Sequence, residues 1–537
     1  MDILKFLIKY LEKSKVIIYL VMIIVIWGIS MYLPIVNGEF IDALVEGNTL
    51  NRIYSILIII SLLSILNVIL TYISNVLKVK IASTTNFKIS YHLLDHIKKL
   101  PISFFYNQNS AYLSQRINMD ASSLSEFVLN KIINFVFNVF SLVLSAFILI
   151  DINTRISSIL ILLIPIYILL YFIFKKRLYN LNYKSKESQN LYFGSINSQL
   201  ENTKFIKLNS LNYILNENLK NKFNIAYESI INITKASNMF SNSGVMITVT
   251  ANILILLLAI NQILNGELSI GQFTIISTYF NTVISSIEYC LSFLDSYQSS
   301  LVSYRRIQEL FNIKEEINGN IRVKHINRIL IENLSFKHYE KQIIANLNAE
   351  FKKGFIYRVV GENGAGKSSL LNIVAGLYNG NYGGTIKYDE NDILDLVMYS
   401  IRKDLIGVVE QEPHLLNDSI INNITYNLDN YDSNKLEYLL EQFNLNNFIS
   451  KLENGLDTNI LEKSCNISGG EKQKIGLIRT LLKKPDVIIL DEANSALDID
   501  SKINLSLMLE EEKENKIIIL VSHSNTFDEI VDFNIKL

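Results

Sequence analysis

Residues 356–376 read Ile356-Tyr-Arg-Val-Val360-Gly361-Glu362-Asn363-Gly364-Ala365-Gly366-Lys367-Ser368-Ser369-Leu-Leu-Asn-Ile-Val-Ala-Gly376. An apolar strand-like run enters a glycine-rich loop, and an apolar helical run leaves it. That order is the strand, loop and helix of a phosphate-binding loop. Glycines let backbone N–H groups curl around a phosphate, and the helix N-terminus favours its negative charge. In such a loop Lys367 reaches the β- and γ-phosphates, and the Ser368 hydroxyl ligates Mg²⁺.

A loop of this kind needs an acidic partner, and Val487-Ile-Ile-Leu-Asp491-Glu492 supplies one at the end of a buried strand. Asp491 is placed to hold Mg²⁺ through water, and Glu492 to act as base or positioner for the attacking water. Ile467-Ser468-Gly469-Gly470-Glu471 stands just ahead of this strand, and Ser495-Ala496-Leu497-Asp498 directly after it. From residue 316 to 537, short β-branched runs alternate with helical stretches, the texture of a soluble α/β domain.

Residues 1–315 have a different texture. Mostly apolar, charge-free runs occur at 16–36, 53–77, 132–150, 156–174, 244–264 and 268–287. Each is near the ~20 residues that a helix needs to cross ~30 Å of hydrocarbon. The predicted fold is therefore a membrane-embedded, all-α domain of six transmembrane helices followed by an α/β P-loop nucleotide-binding domain. The 49% hydrophobic content looks like a globular average of roughly 45–50%. It is the mean of two unlike parts. A net charge of −1 excludes a nucleic-acid binder, which needs a basic face, and two cysteines in 537 residues exclude a disulfide scaffold.

Basic residues set the orientation. Lys5, Lys9, Lys13 and Lys15 precede the first run, and the connections 78–131 and 175–243 are rich in lysine. The opposite connections hold only Arg52 and Arg155, against Glu39, Asp42, Glu46, Asp151 and Glu267. The positive-inside bias puts the N-terminus, both long connections and the ATPase domain in the cytoplasm, with the chain multi-pass in the cytoplasmic (inner) membrane. Those connections carry apolar residues at helical spacing, as in Leu93, Leu94, Ile97 and Leu100, and read as helical extensions.

Taken together, these motifs resemble the ATP-binding cassette (ABC) transporters, and the six preceding spans with long extensions resemble their exporter branch. The resemblance covers essentially the whole chain. It implies that Ser468, Gly469, Gly470 and Glu471 form the signature that closes over ATP bound to a partner subunit. Gln411 matches the glutamine that senses Mg²⁺, so Ser368, Gln411 and Asp491 form the metal set. His523 matches the switch histidine at the γ-phosphate, and Glu492, His523 and Gln411 the catalytic set. Asp498 matches the aspartate linking the two ATP sites, and Glu462 the element that touches the coupling helices. Leu100-Pro101-Ile-Ser-Phe104-Phe105, with Arg116 and Asp120, resembles the first cytoplasmic extension of exporters. The signature departs from the commoner form by ending in Glu471, which keeps a polar end. Either His338 or Tyr339 stands where the family stacks an aromatic ring on adenine. With every catalytic position filled and six spans per chain, the resemblance implies a homodimer of half-transporters with ATP and Mg²⁺ as cofactors.

The sixth span carries a polar stripe: Ser277, Asn281, Ser285, Glu288, Ser292, Asp295 and Ser299, three or four residues apart on one helical face. A carboxylate at membrane depth is a functional hypothesis by default. In the exporter family this helix lines the pathway, so Asn281, Ser285, Glu288, Ser292 and Asp295 are expected to face it. The alternative is a polar helix–helix seam. The third span has a charge-free counterpart, Asn130, Asn134, Asn138, Ser141 and Ser145, open to packing and pathway alike. The expected activity is ATP-driven export of an amphipathic substrate, a peptide first, a multidrug or lipid substrate second. An ATP-switched membrane regulator that moves no cargo is the contrasting class. His92, Asp95 and His96 mimic a metal spacing but lack a third ligand nearby.

Overall fold

The computed structural model describes residues 2–106, 110–338, 341–426, 428, 430–461, 467–522 and 525–537. Within these, the side chains of 2, 110–112, 115, 160–164, 294, 295, 298 and 525 lie outside the description. The chain divides into two compact units: Met1–Asp95 with Ala111–Asn312, and His96–Ser110 with Ile313–Leu537.

The first unit, among the described residues, is built on six long helices: Lys13–Val45, Leu50–Lys98, a third running from Ser110–Glu126 through Phe127–Ile132 to Ile133–Ile152, Thr154–Glu201, Asn212–Leu264 and Ile270–Phe311. Among the described residues, the first, second, third and fifth contain a stretch long and apolar enough to cross a membrane. Such a stretch must satisfy its backbone internally, and a helix does so residue by residue. The second and fifth helices run unbroken for 49 and 53 residues, so the basic connections are helical continuations of the apolar runs. In the third helix, Phe127–Ile132 forms a π-helical turn with Phe127, Val128 and Leu129 buried.

Inside this unit the fourth and fifth helices pair, and the sixth packs on the third and the first. Ile276, Tyr279, Phe280, Val283, Ile284 and Ile287 bury one face of the sixth helix in the common core. At its N-terminus, Asp42 of the first helix accepts from Ser269 Oγ and from Gly271 N–H, both at 2.6 Å. This places a carboxylate on the positive end of the helix dipole. Gly38 and Gly271 permit the approach, since a Cβ on Gly271 would lie 2.1 Å from the Gly38 carbonyl oxygen. Further along, buried Asp120 accepts from Ser303 Oγ at 2.9 Å and pairs with Arg306 at 3.2 Å. Arg116 donates to the Arg306 carbonyl and to Glu309, tying the extensions of the third and sixth helices together.

Among the described residues, the second unit contains nine strands: β1 (Arg328–His338), β2 (Lys341–Lys352), β3 (Ile356–Val360), β4 (Gly383–Tyr388), β5 (Asn391–Asp392), β6 (Ile406–Val409), β7 (Val487–Asp491), β8 (Ile517–Val521) and β9 (Phe533–Lys536). They form an antiparallel sheet, β2-β1-β4-β5, and a parallel sheet, β6-β7-β8-β3-β9. All five residues of β8 and the first four of β7 are buried, as strands covered on both faces require. The segment between the second and third helices belongs here. Ile102 packs on this unit's core, Glu316 N–H donates to the Lys99 carbonyl at 2.8 Å, and the Tyr106 and Tyr378 hydroxyls meet at 2.7 Å. His96 Nδ1 lies 3.1 Å from Glu315, whereas the His92 ring packs on Tyr10, so the two histidines of the metal-like spacing are separately engaged.

Candidate nucleotide site

Parallel strands present their C-terminal ends together, and that is where α/β sheets place ligand groups. Here β3 leads into Gly361, β6 towards Gln411, β7 into Asp491 and Glu492, and β8 into Ser522. His523, expected next, lies outside the described residues.

The glycine loop has a backbone that side chains resist. Gly364 sits at φ +83° in open space, so conformation alone calls for glycine. Gly366 sits at φ +96° and caps the helix Lys367–Val374, and a Cβ there would also lie 2.4 Å from Ile343 Cγ2. Glu362, Asn363 and Ala365 complete the turn, and Ala365 N–H donates to the Glu362 carbonyl. Lys367 is nine-tenths buried, and its Nζ donates to the carbonyls of Gly361 at 2.8 Å and Glu362 at 3.2 Å. The ammonium is thereby folded back over the loop, with Ser368 and Ser369 beginning the helix behind it.

The acidic pair stands beside this loop. Burial pushes the Asp491 carboxyl above its ordinary range, and neighbouring Glu492 adds to the rise. The Ser368 hydroxyl, hydrogen-bonded to it, and Lys367 oppose this shift. Glu492 follows the strand in the left-handed region at φ +48°, held by its N–H donating to the Val521 carbonyl at 2.9 Å. Such a conformation in a non-glycine residue is uncommon and clusters at functional sites. Gln411 Nε2 donates to Glu492 Oε2 at 2.8 Å, which joins the end of β6 to the end of β7. Ser368, Gln411 and Asp491 offer hard oxygen donors, and Asp491 is itself a carboxylate whose burial its neighbours do not fully offset, a donor set that fits Mg²⁺.

Ser468 and Glu471 form a capping box at the start of the helix Gly469–Leu482: Ser468 N–H donates to Glu471 Oε2 at 2.7 Å, and Glu471 N–H to Ser468 Oγ at 3.3 Å. A carboxylate serves this box as well as an amide oxygen does, which accounts locally for glutamate at this position. Gly470 is required sterically, since a Cβ would lie 2.8 Å from the Ala496 carbonyl oxygen. Asp498 caps the helix Ile499–Glu512 and meets Lys474 Nζ at 2.5 Å. Its burial works to raise the pKa, but hydrogen bonds from Lys474 and Ser501 prevail and hold it down at about 2. Glu462 lies outside the described residues.

One residue emerges from the structure alone. Gln473 is 2% exposed and ties its helix to two other segments. Its Nε2 donates to the Gln411 carbonyl at 3.0 Å and to Ser495 Oγ at 2.9 Å, while its Oε1 accepts from Ala496 N–H at 2.9 Å. In the sequence it stands between Lys472 and Lys474 in a polar stretch, so nothing local marks it as buried.

Of the two rings offered for adenine, Tyr339 lies outside the described residues, and His338 ends β1 with its ring edge-on to Tyr106 at 5.7 Å. In the first unit, Asn281, Ser285, Glu288 and Ser292 are exposed on the face of the sixth helix opposite its buried one, and the Asp295 side chain lies outside the description. Ser285 and Ser292 donate to carbonyls of their own helix. Glu288 leans on the fifth helix, where a Cβ on Gly244 would meet its Oε1 at 3.2 Å and Tyr167 Cε1 at 3.6 Å. The third-span stripe divides: Ser141 is buried and accepts from Trp27 Nε1 at 2.7 Å and Ser145 is buried, whereas Asn134 is exposed.

Comparison with known proteins agrees with this anatomy. Residues 16–287 match the ABC transporter transmembrane region and residues 344–495 the ABC transporter family. An ATP-dependent lipid A-core flippase of Vibrio vulnificus is 26% identical over 443 residues, covering 80% of this chain and 74% of that protein. The uncharacterized ABC transporter ATP-binding protein YwjA of Bacillus subtilis is 26% identical over 540 residues, covering 96% and 90%. The fold is that of a bacterial Atm1-family ABC exporter solved with ATP bound, at a TM-score of 0.86, 18% identity and coverage of 98% and 94%. A transmembrane region and an ATP-binding domain fused in one membrane-spanning chain make it a member of the ABC transporter family, an exporter half-transporter that binds ATP and couples its hydrolysis to transport.

Proposed function

We propose that two copies of this chain assemble in the cytoplasmic membrane and export an amphipathic substrate, a peptide by preference, by alternating access. The N-terminus and both ATP-binding domains face the cytoplasm, and each chain crosses the bilayer six times. Convergence of the glycine loop, Gln411, Asp491 and Glu492 at the C-terminal ends of strands in one parallel sheet is the observation that carries the ATPase half of this reading. Lys367 leaves its loop carbonyls for the β- and γ-phosphates, and His338 or Tyr339 stacks on adenine. Glu492, positioned by Gln411, takes the proton of the attacking water, and His523 contacts the γ-phosphate. Ser368, Gln411 and Asp491 would hold Mg²⁺, which offsets phosphate charge when bound.

Ser468–Glu471 makes no hydrogen bond to the loop of its own chain among the described residues, in keeping with a signature that serves the partner's ATP. Asp498 links the two composite sites, and Glu462 relays to the cytoplasmic extensions. Closure and reopening of the dimer then turn the spans between inward- and outward-facing forms. Nucleotide at about 100 times its Kd should stabilise the protein by about 2.7 kcal/mol. Adding Mg²⁺ should raise the melting temperature further in the wild type but not in Asp491→Asn. An equal rise in both would remove Asp491 from the metal set.

The cargo reading rests on the exposed stripe Asn281, Ser285, Glu288 and Ser292, in which Glu288 attracts cationic groups. Glu288→Gln should cut uptake of a cationic amphipathic peptide into inverted vesicles by about tenfold, about 1.4 kcal/mol, with basal ATPase kept. Uptake equal to wild type removes the idea. A lipid or multidrug cargo is the second reading, favoured by relatives named lipid A-core flippases. Peptide-independent lipid translocation in the same vesicles would select it. ATP hydrolysis with neither cargo moved would instead indicate a regulator.

A further inference from the structure

Between the fourth and fifth helices lies a cavity of about 630 Å³, wholly within the first unit. Lys176, Arg177 and Asn180 line it from one helix, and Asn232, Lys235 and Met239 from the other. No carboxylate lines it, and among the described residues its three cations enter no ion pair. Like charges gathered without a partner make a site for an anion.

The depth of the cavity narrows the choice of anion. The helices run antiparallel, and two rungs set their register: Tyr167 donates to the Gly244 carbonyl at 2.8 Å, and the Phe174 and Phe240 rings lie 5.7 Å apart. On one side of the phenylalanine rung the chain is free of charge, over 156–174 and over 236–264. On the other side, charge begins at Lys175 on one helix and at Lys235 on its neighbour. At about 1.5 Å per residue, all three lining cations fall within about 8 Å of the rung. Both helices therefore pass from hydrocarbon-compatible to basic at one height, the level of lipid phosphates on the cytoplasmic side. Lys175 shows what an ordinary anchor does at that height, since its ammonium lies over the Tyr171 ring, 5.6 Å from the centroid. Lys176, Arg177 and Lys235 converge on the cavity instead. Phe172, Ile173 and Met246 are exposed on the apolar side, a surface for acyl chains.

We infer that this cavity binds the phosphate-bearing headgroup of an anionic glycerophospholipid, with Lys176, Arg177 and Lys235 as counter-charges and Asn180 and Asn232 as hydrogen-bond donors. Basic pockets between transmembrane helices on the cytoplasmic side have the chemistry for such headgroups. This site is separate from the nucleotide site and from the polar stripe, and it holds whatever the cargo.

The test uses the full-length protein titrated with phosphatidylglycerol or phosphatidylcholine of matched acyl chains, with bound lipid counted by native mass spectrometry. The wild type should prefer the anionic lipid by about tenfold or more, and a Lys176→Gln/Arg177→Gln/Lys235→Gln variant should fall to within about twofold. A Lys204→Gln/Lys207→Gln/Lys220→Gln variant, which removes equal charge elsewhere on the same basic side, should keep the preference. Basal ATPase and size-exclusion profiles should match across all three. If the first triple variant does not fold, Arg177→Gln alone should still lower the preference by about threefold. Equal loss in the control variant would show general surface attraction and overturn the site. So would no preference in the wild type, or displacement of the lipid by excess inorganic phosphate, which would make free phosphate the ligand.

Discussion

Glu492→Gln is expected to lower ATP turnover by about 10²–10⁴-fold while leaving nucleotide binding intact. The substitution is informative because of what it preserves. An amide at this position still offers an oxygen to Gln411 Nε2, now 2.8 Å from Glu492 Oε2, so the link between β6 and β7 survives. The N–H that donates to the Val521 carbonyl belongs to the backbone and is untouched. What disappears is the negative charge and the ability to take a proton from water. A nucleotide-loaded, slowly cycling dimer should accumulate, seen as retained fluorescent ATP analogue beside a collapsed rate of phosphate release. Phosphate release at the wild-type rate would sink the assignment of Glu492 as the base.

Gln473→Leu should have the next largest effect, a fall in turnover of about 10–100-fold, or about 1.4–2.8 kcal/mol. The leucine fits the buried volume of Gln473 but leaves the Gln411 carbonyl and the Ala496 N–H, whose bonds to it are half-buried, without this partner. Each lost hydrogen bond removes about 0.5–1.5 kcal/mol of net stabilisation, so the segments that Gln473 held together are expected to shift. The three groups bridged by Gln473 belong to the Gln411 segment and to the stretch after Glu492, not to the glycine loop. The fall should therefore appear in kcat, with ATP affinity nearly unchanged. Gln473→Glu should not rescue, because it keeps the acceptor for Ala496 N–H yet aims a carboxylate at the Gln411 carbonyl. A wild-type kcat in the leucine variant would reduce Gln473 to a packing residue.

Much of this protein is legible in its sequence because the decisive signals are contiguous. A glycine loop between an apolar strand and a helix occupies eight residues, Gly361–Ser368, and its demands are local: φ +83° at Gly364 and φ +96° at Gly366 are backbone states that glycine adopts freely. Lipid-length apolar runs are equally local, since a helix satisfies its own backbone and needs only length and composition. Asp42 shows where that reading stops. By sequence it is one acid in a short connection, whereas in the fold it caps the sixth helix, 227 residues away from Ser269.

The sequence by itself determined the membrane and ATPase halves, the motif positions and the basic side of the chain, because each depends on residues near one another along the chain. Tertiary structure alone decided the bridge at Gln473, whose partners lie 62, 22 and 23 residues away. It also decided that Lys176, Arg177 and Lys235 share one cavity while adjacent Lys175 engages Tyr171. Lysines in a basic connection look alike until the pairing of two helices sets which of them converge, and that pairing rests on contacts such as Tyr167 with Gly244 that no local pattern encodes.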